Sequence, residues 1–258
     1  RPPAPGRVTH EGSGVRVKPT LLLSDLHLAP ERHDAVAAFL AFARGPSRDA
    51  AAVYILGDLF DAWIGDEQRD EPFARAIVDA LRGIADAGVP LFIARGNRDF
   101  LLGDAFARAA GATLLDEQTL VDLAGTPTLL AHGDEFCTDD TSYQRYRAWT
   151  RDARNQRRLL RLPYRVRRWI GAWLRRRSRA ATAQKSEAIL DVNAGAIAAA
   201  FRRVRVSRLI HGHTHRPARH TTMIDGTARE RIVLADWHDR GHYVEVDAAG
   251  VRAREITG

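Results

Sequence analysis

Val53-Tyr54-Ile55-Leu56-Gly57-Asp58-Leu59-Phe60-Asp61 is the stretch on which the fold turns: four apolar residues, a glycine, then a carboxylate. A short apolar run bounded by a turn signal reads as a strand buried on both faces. The construction recurs. Leu21-Leu22-Leu23 runs into Ser24-Asp25-Leu26-His27, and Leu91-Phe92-Ile93-Ala94 precedes Gly96-Asn97-Arg98-Asp99. Leu129-Leu130-Ala131 precedes His132-Gly133-Asp134, and Leu209-Ile210 runs into His211-Gly212-His213-Thr214-His215. Helical patterns over residues 34–44 and 71–87 separate the first three runs, and Gly88 and Pro90 stop the second helix. Strand, polar turn, helix, strand is the rhythm of an α/β sheet. Ligands of such sheets bind beyond the carboxyl ends of the strands, and all five polar clusters fall there.

Past His132 the rhythm breaks. Helical patterns interrupted by Pro163 and Gly171 dominate, and strand signals return near residues 231–235 and 241–247, which read as antiparallel strands closing the core. The expected organisation is a disordered tail over 1–18, a core made of 19–137 and 191–258, and a helical insertion over 138–190 lying across the sheet. The tail is rich in Pro, Gly and charge and has no apolar segment of signal-peptide type.

Charge is unevenly placed along the 258 residues. Between Gln144 and Arg179 stand 14 arginines against the single acid Asp152, a local charge of +13, so the rest of the chain carries −6 of the net +7. An acidic body with a basic insert expects an anionic partner. The one cysteine, Cys137, excludes an internal disulfide and a thiolate metal cluster and fits a reducing compartment. No apolar run approaches membrane-spanning length.

The five clusters offer metal ligands. Residues i and i+2 of an extended strand end point the same way, so Asp25 with His27, and His213 with His215, can each grip one ion. Asp58 follows a glycine that permits a sharp turn and is free to bridge two ions. Asn97 adds an amide oxygen and His132 an imidazole. With Asp58 shared, each of two ions receives four protein ligands. Two-metal sites of this kind clamp the attacking and leaving oxygens of a displacement at phosphorus. Nitrogen and oxygen donors suit Mn, Fe, Zn or Co. A lone Asp-x-His is most often a turn pair; five such clusters in order, each after a strand, are not.

Asp25-x-His27, Gly57-Asp58, Gly96-Asn97, His132 and Gly212-His213-x-His215 together resemble the calcineurin-like metallophosphoesterase superfamily. The resemblance implies an α/β (α+β) fold, a β-sandwich flanked by helices. It also implies one ion on Asp25, His27, Asp58 and His215 and another on Asp58, Asn97, His132 and His213. A narrower resemblance, to the UDP-2,3-diacylglucosamine pyrophosphohydrolases of lipid A biosynthesis, rests on longer stretches. These are residues 57–66, Gly96-Asn97-Arg98-Asp99-Phe100-Leu101-Leu102-Gly103, Cys137-Thr138-Asp139-Asp140 and 211–217. Arg98 there replaces the histidine usual in the superfamily. That family hydrolyses UDP-2,3-diacylglucosamine to UMP and the sugar 1-phosphate with manganese, in the bacterial cytoplasm, peripherally at the inner membrane. By resemblance, two Mn2+ ions are implied, with Asp58, Asn97, Arg98 and His132 acting in catalysis. Asn97, Arg98, Asp140, Ser178, Thr182, Lys185 and His213 would bind substrate; Thr182 stands where family members commonly carry Asn.

Arg98 could pair with nearby Asp99 or Asp104, or fork onto a phosphate; the second reading is favoured here. Lys185 is one of only two lysines, as a need for a compact ammonium would produce and as chance could equally leave. The arginine-rich insert could be a solvated face, a nucleic-acid site, or a surface lying on anionic lipid with Tyr164, Trp169, Ile170, Trp173 and Leu174 at the interface. A two-acyl substrate joins the third reading to the chemistry, so an anionic inner-membrane surface is the expected partner and nucleic acid is not. The rival functions are a nuclease with the same metals, a nucleic-acid-binding module with a vestigial site, and a soluble UDP-sugar hydrolase.

Overall fold

The computed structural model describes residues 18–182, 191–238 and 240–256, with side chains left undescribed over 175–182. In chain order its elements begin with β1 (Thr20–Leu23), α1 (His33–Arg44), β2 (Ala52–Leu56), α2 (Pro72–Asp86), β3 (Leu91–Ala94), α3 (Asp104–Ala110), β4 (Thr113–Leu114), β5 (Gln118–Leu123) and β6 (Thr126–Ala131). Next come α4 (Thr141–Arg151), α5 (Ala153–Leu160) and α6 (Tyr164–Thr182), then α7 (Ala194–Val204), β7 (Arg208–His211), β8 (Ala218–Ile224), β9 (Thr227–Val233), β10 (Gly241–Asp247) and β11 (Gly250–Ile256).

The strand sequences are apolar throughout because both of their faces are covered. In β1, Leu21 and Leu23 pack against helices while Leu22 faces the other way; in β2, Val53 and Ile55 take the first side and Tyr54 and Leu56 the second. Helices α1, α2 and α3 close the first side with Phe39, Phe42, Ile77, Leu81, Ile84 and Phe106. The second side is the space between two sheets, filled by Leu22, Leu56, Leu130, Ile210 and Ile232. Beyond the second sheet, α7 presses Ile197 and Phe201 onto Leu129 and Leu209. Truncating a fully buried leucine such as Leu22 to alanine is expected to cost about 2–5 kcal/mol.

One sheet has the order β11-β10-β1-β2-β3-β4 and the other β5-β6-β7-β9-β8. Strands β1 to β4 run parallel, as do β6, β7 and β9. Carboxyl ends of both parallel sets therefore collect their following turns. The expected β-sandwich flanked by helices is the observed architecture.

One expectation fails in detail. Of the two late runs read as antiparallel strands, only the second is antiparallel to its neighbour in the core. β9 runs parallel to β7 inside the second sheet, whereas β10 is antiparallel to β1 in the first. β9 also begins at Thr227, on polar residues paired with β8, whose own sequence is almost wholly exposed. A one-sided, solvent-facing hairpin carries too little apolar signal to be read from sequence.

Candidate active site

Four of the ligand candidates lie in turns whose backbone is unusual. Asp25 (φ 56), His27 (φ 48), His213 (φ 68) and His215 (φ 54) all occupy the left-handed region, and so does Asp58 (φ 51). Non-glycine residues seldom take this conformation. The i, i+2 argument from an extended strand is thus corrected. Asp25 and His27, like His213 and His215, converge because left-handed residues curl the turn back on itself. Such strain persists only where surrounding bonds over-determine it, and it gathers at functional sites. Here Asp25 N donates to Gly57 O (3.1 Å), His27 N to Asp58 O (2.9 Å) and Gly212 N to His132 O (2.9 Å).

Close approach explains the glycines of the motif. A Cβ on Gly96 would collide with the Asp58 carboxylate, and one on Gly212 would strike both Ser24 Oγ and Asp25 Oδ2. His213 N donates to Asp25 Oδ2 (2.8 Å) and Arg98 N to Asp58 Oδ1 (2.8 Å). Each carboxylate is therefore aimed by the amide of the facing turn.

Side chains of all seven candidates meet. His215 Nε2 lies 3.3 Å from Asp25 Oδ1 and 3.3 Å from His27 Nε2. On the other half, His132 Nε2 faces Asn97 Oδ1 at 3.1 Å and Asp58 Oδ1 at 3.8 Å, and the His132 and His213 rings lie 5.0 Å apart. Asp58 looks both ways, since its other oxygen is 3.8 Å from His27 Nδ1. Asp25, His27 and His215 bring ligand atoms within 4.8 Å of one another, and so do Asp25, Asp58 and His132. Among the described residues Asp25 Oδ1 is buried without a hydrogen-bond donor, which is costly unless a cation sits there. This donor set fits divalent metal ions.

The surroundings tune these groups. Burial drives the His27 ring down to about 4 and the His213 ring to about 3, the neutral form that a metal ligand needs. Burial also opposes charge on His132, but Asp58, Asp25 and Asp134 outweigh it and hold the ring up at about 9. Burial would raise Asp25, yet the His215, His132 and His27 rings keep it far below the usual carboxylate range. The His132 Nδ1 donates to Leu56 O (2.9 Å), leaving Nε2 for the site. His215 Nδ1 faces Asp236 Oδ2 at 3.4 Å, the outer carboxylate that commonly orients a ligating histidine.

A match to calcineurin-like phosphoesterases extends over residues 18–217. The chain belongs to the calcineurin-like phosphoesterase family. Within it, the chain is 48% identical over 232 residues to a UDP-2,3-diacylglucosamine hydrolase of Pseudomonas paraeruginosa, covering 90% of this chain and 96% of the relative. A relative of the same name from Cellvibrio japonicus is 46% identical over 235 residues, 91% of this chain and 98% of its own. One from Salmonella arizonae is 48% identical over 227 residues, 88% and 94%. The narrower resemblance read from the sequence is borne out by these relatives.

Other sequence candidates in this calcineurin-like phosphoesterase fall as follows. Arg98 is half-buried at the site, and its guanidinium makes no hydrogen bond or ion pair among the described residues. Asp99, weighed above as its partner, is instead fully buried and accepts from Gly96 N (2.7 Å) and Leu59 N (2.8 Å). It ties the Asn97 turn to the Asp58 turn. Asp140 caps α4 by accepting from Tyr143 N at 3.0 Å. Ser178 and Thr182 lie on α6 with their side chains outside the described residues, and Lys185 lies outside them altogether.

Several residues escaped the sequence reading. Asp134 accepts from Tyr143 Oη (2.8 Å) and Arg147 Nε (3.0 Å), while Arg151 donates to the carbonyls of Arg95 (3.1 Å) and Gly96 (3.2 Å). The Tyr143 ring in turn packs 5.7 Å from His213. Helix α4 thereby braces three ligand turns. The only signal for Asp134 was its place two residues after His132. His211 is not part of the ligand cluster. Its Nδ1 donates to Gly212 O (2.9 Å) and its Nε2 accepts from Arg231 (3.2 Å), which fixes the neutral ring behind the turn.

Proposed function

We propose that this phosphoesterase hydrolyses the diphosphate of UDP-2,3-diacylglucosamine, giving UMP and 2,3-diacylglucosamine 1-phosphate. The observation that carries the reading is near full-length similarity, at 46–48% identity, to relatives named for that substrate. The ligand set supports two divalent ions, one on Asp25, His27, Asp58 and His215 and one on Asp58, Asn97, His132 and His213, with manganese favoured by resemblance. Bound ions of this kind lower the pKa of water and polarise phosphoryl oxygens. The chain's own residues do the rest. Arg98, uncommitted within the described residues, forks onto the diphosphate. Asn97 and His213 both stand against His132, and Asp140 holds the first turn of α4. Ser178, Thr182 and Lys185 complete the substrate contacts from the expected insertion, residues 138–190. Water attacks the α-phosphorus and the sugar 1-phosphate leaves.

The substrate's two acyl chains bring a lipid surface into the reading. Trp169 is 69% and Trp173 47% exposed, and Trp149, Leu160, Leu162 and Val166 are exposed on the same arginine-rich segment. Tyr164 is drawn away from that face by its bond to Glu71, and Ile170 and Leu174 are partly covered. The lipid-facing set is therefore redrawn around the two tryptophans, Trp149, Leu160, Leu162 and Val166, with arginines for anionic headgroups. No helix among the described residues is long and apolar enough to cross a membrane. On this reading the exposed tryptophans and arginines support a peripheral position at the cytoplasmic face of the inner membrane.

UMP release from UDP-2,3-diacylglucosamine should exceed that from UDP-N-acetylglucosamine by orders of magnitude. Comparable rates on both substrates would support a soluble UDP-sugar hydrolase instead.

A further inference from the structure

Arg167 is only 4% exposed, in the middle of the most basic segment of the chain. Its neighbours Arg165 and Arg168 face solvent. A buried arginine needs acceptors for its fork of donors, and here it has them. Its Nη1 donates to Ile64 O (2.6 Å) and to Glu67 Oε2 (3.1 Å), its Nη2 to Glu67 Oε1, and its Nε to Leu162 O (3.0 Å). The acceptors Ile64 and Glu67 lie in the loop that follows Asp58.

Two glycines make the approach possible. A Cβ on Gly65 would collide with the Arg167 guanidinium, and one on Gly171 would come 2.8 Å from Ile64 Cγ2. Tyr164 Oη donates to Glu71 Oε1 (2.7 Å), and Arg167 lies 5.6 Å from the centre of the Tyr164 ring. Residues 164, 167 and 171 share one helical face. The first two turns of α6 are thus clamped to residues 64–71, while the exposed tryptophans point elsewhere.

The loop is itself anchored in the core. Trp63 is 1% exposed between Phe60 and Phe106, its N donates to Arg98 O (3.1 Å) and its Nε1 to Asp66 Oδ1 (3.2 Å). A continuous chain of contacts runs from Arg98 through Trp63 and Ile64 to Arg167.

We propose that Arg167, with Glu67, is a positioning latch that sets the place of α6 relative to Arg98, and so sets the binding of the lipid part of the substrate. The role rests on the function proposed above, because the distal half of α6 carries Ser178 and Thr182. Arg167 does not touch the reacting atoms.

The test uses the full chain as Arg167→Met, which keeps the apolar stem, and as Glu67→Gln, which alters only the exposed partner. Steady-state rates on UDP-2,3-diacylglucosamine should show KM raised about tenfold in Arg167→Met and less in Glu67→Gln, with kcat within about twofold of the parent, the pattern of lost uniform binding. Limited trypsin digestion should show faster cleavage after arginines 165–179 with the core intact. Calorimetric manganese binding should equal the parent's in both variants. A kcat loss at unchanged KM, or unchanged KM in both variants, would overturn the latch. Unchanged trypsin protection in Arg167→Met would also overturn it, and that readout needs no substrate. If Arg167→Met fails to bind manganese, the core itself has been damaged, and Glu67→Gln decides alone through the same readouts. A parent protein that releases no UMP defeats the functional reading instead, leaving the digestion result to judge the latch.

Discussion

Between the strand ends and the helical segment above them, the means of positioning differ. At the strand ends the backbone holds the ligand candidates. Left-handed residues curl each turn, glycines admit the neighbouring carboxylate, and amides aim it. In α4 and α6 long side chains do the holding: Arg147 and Arg151 reach the ligand turns, and Arg167 reaches the loop after Asp58. A backbone cradle gives sub-ångström precision for metal chemistry. Side-chain braces are easier to shift, which suits the role proposed for this segment in receiving a lipid substrate.

That contrast can be broken at several depths. Asp58→Ala removes the carboxylate that faces both halves of the site. Activity should fall by more than about a thousandfold, several kcal/mol of transition-state stabilisation, and calorimetry should show weaker manganese binding. Arg98→Lys keeps charge but loses the fork, so kcat/KM should drop about a hundredfold while metal content is unchanged; full turnover in this variant would remove Arg98 from its assigned role.

Asp99→Asn tests the link between two turns without touching a ligand. An amide cannot accept from both Gly96 N and Leu59 N, so denaturant unfolding should show a loss of about 1–3 kcal/mol. The smallest effect concerns pH. Burial holds the His211 ring down at about 4, against 6.5 for a free ring. The unfolded chain therefore binds the extra proton first, and metal-free stability should decline as pH falls from 6.5 towards 4. His27 and His213 act in the same direction, whereas the raised His132 contributes stability that is lost as pH climbs through about 9. His211→Gln should flatten the acid side of that curve in urea titrations of EDTA-treated protein.

Much of this architecture was legible in the sequence. Strands buried on both faces write themselves as apolar runs, and the ligands sit at their ends because that is where parallel strands open. The candidates Asp25, His27, Asp58, Asn97, His132, His213 and His215 were picked out in this way, and the structure brings their side chains together. The β8–β9 hairpin was not, because one polar face leaves no continuous apolar signal. Arg167 was hidden among 14 arginines, since burial, not residue type, distinguishes it from Arg165 and Arg168. Asp99 and Asp134 were hidden for a related reason. Their roles lie in which amides and hydroxyls they accept from across the fold.

The most direct test of the central claim is hydrolysis of UDP-2,3-diacylglucosamine in ¹⁸O-water with manganese, read by mass spectrometry of both products. The account predicts one ¹⁸O in UMP, none in the sugar 1-phosphate, and no turnover after EDTA treatment until divalent metal is restored. Label in the sugar 1-phosphate, or undiminished turnover in EDTA, would contradict it.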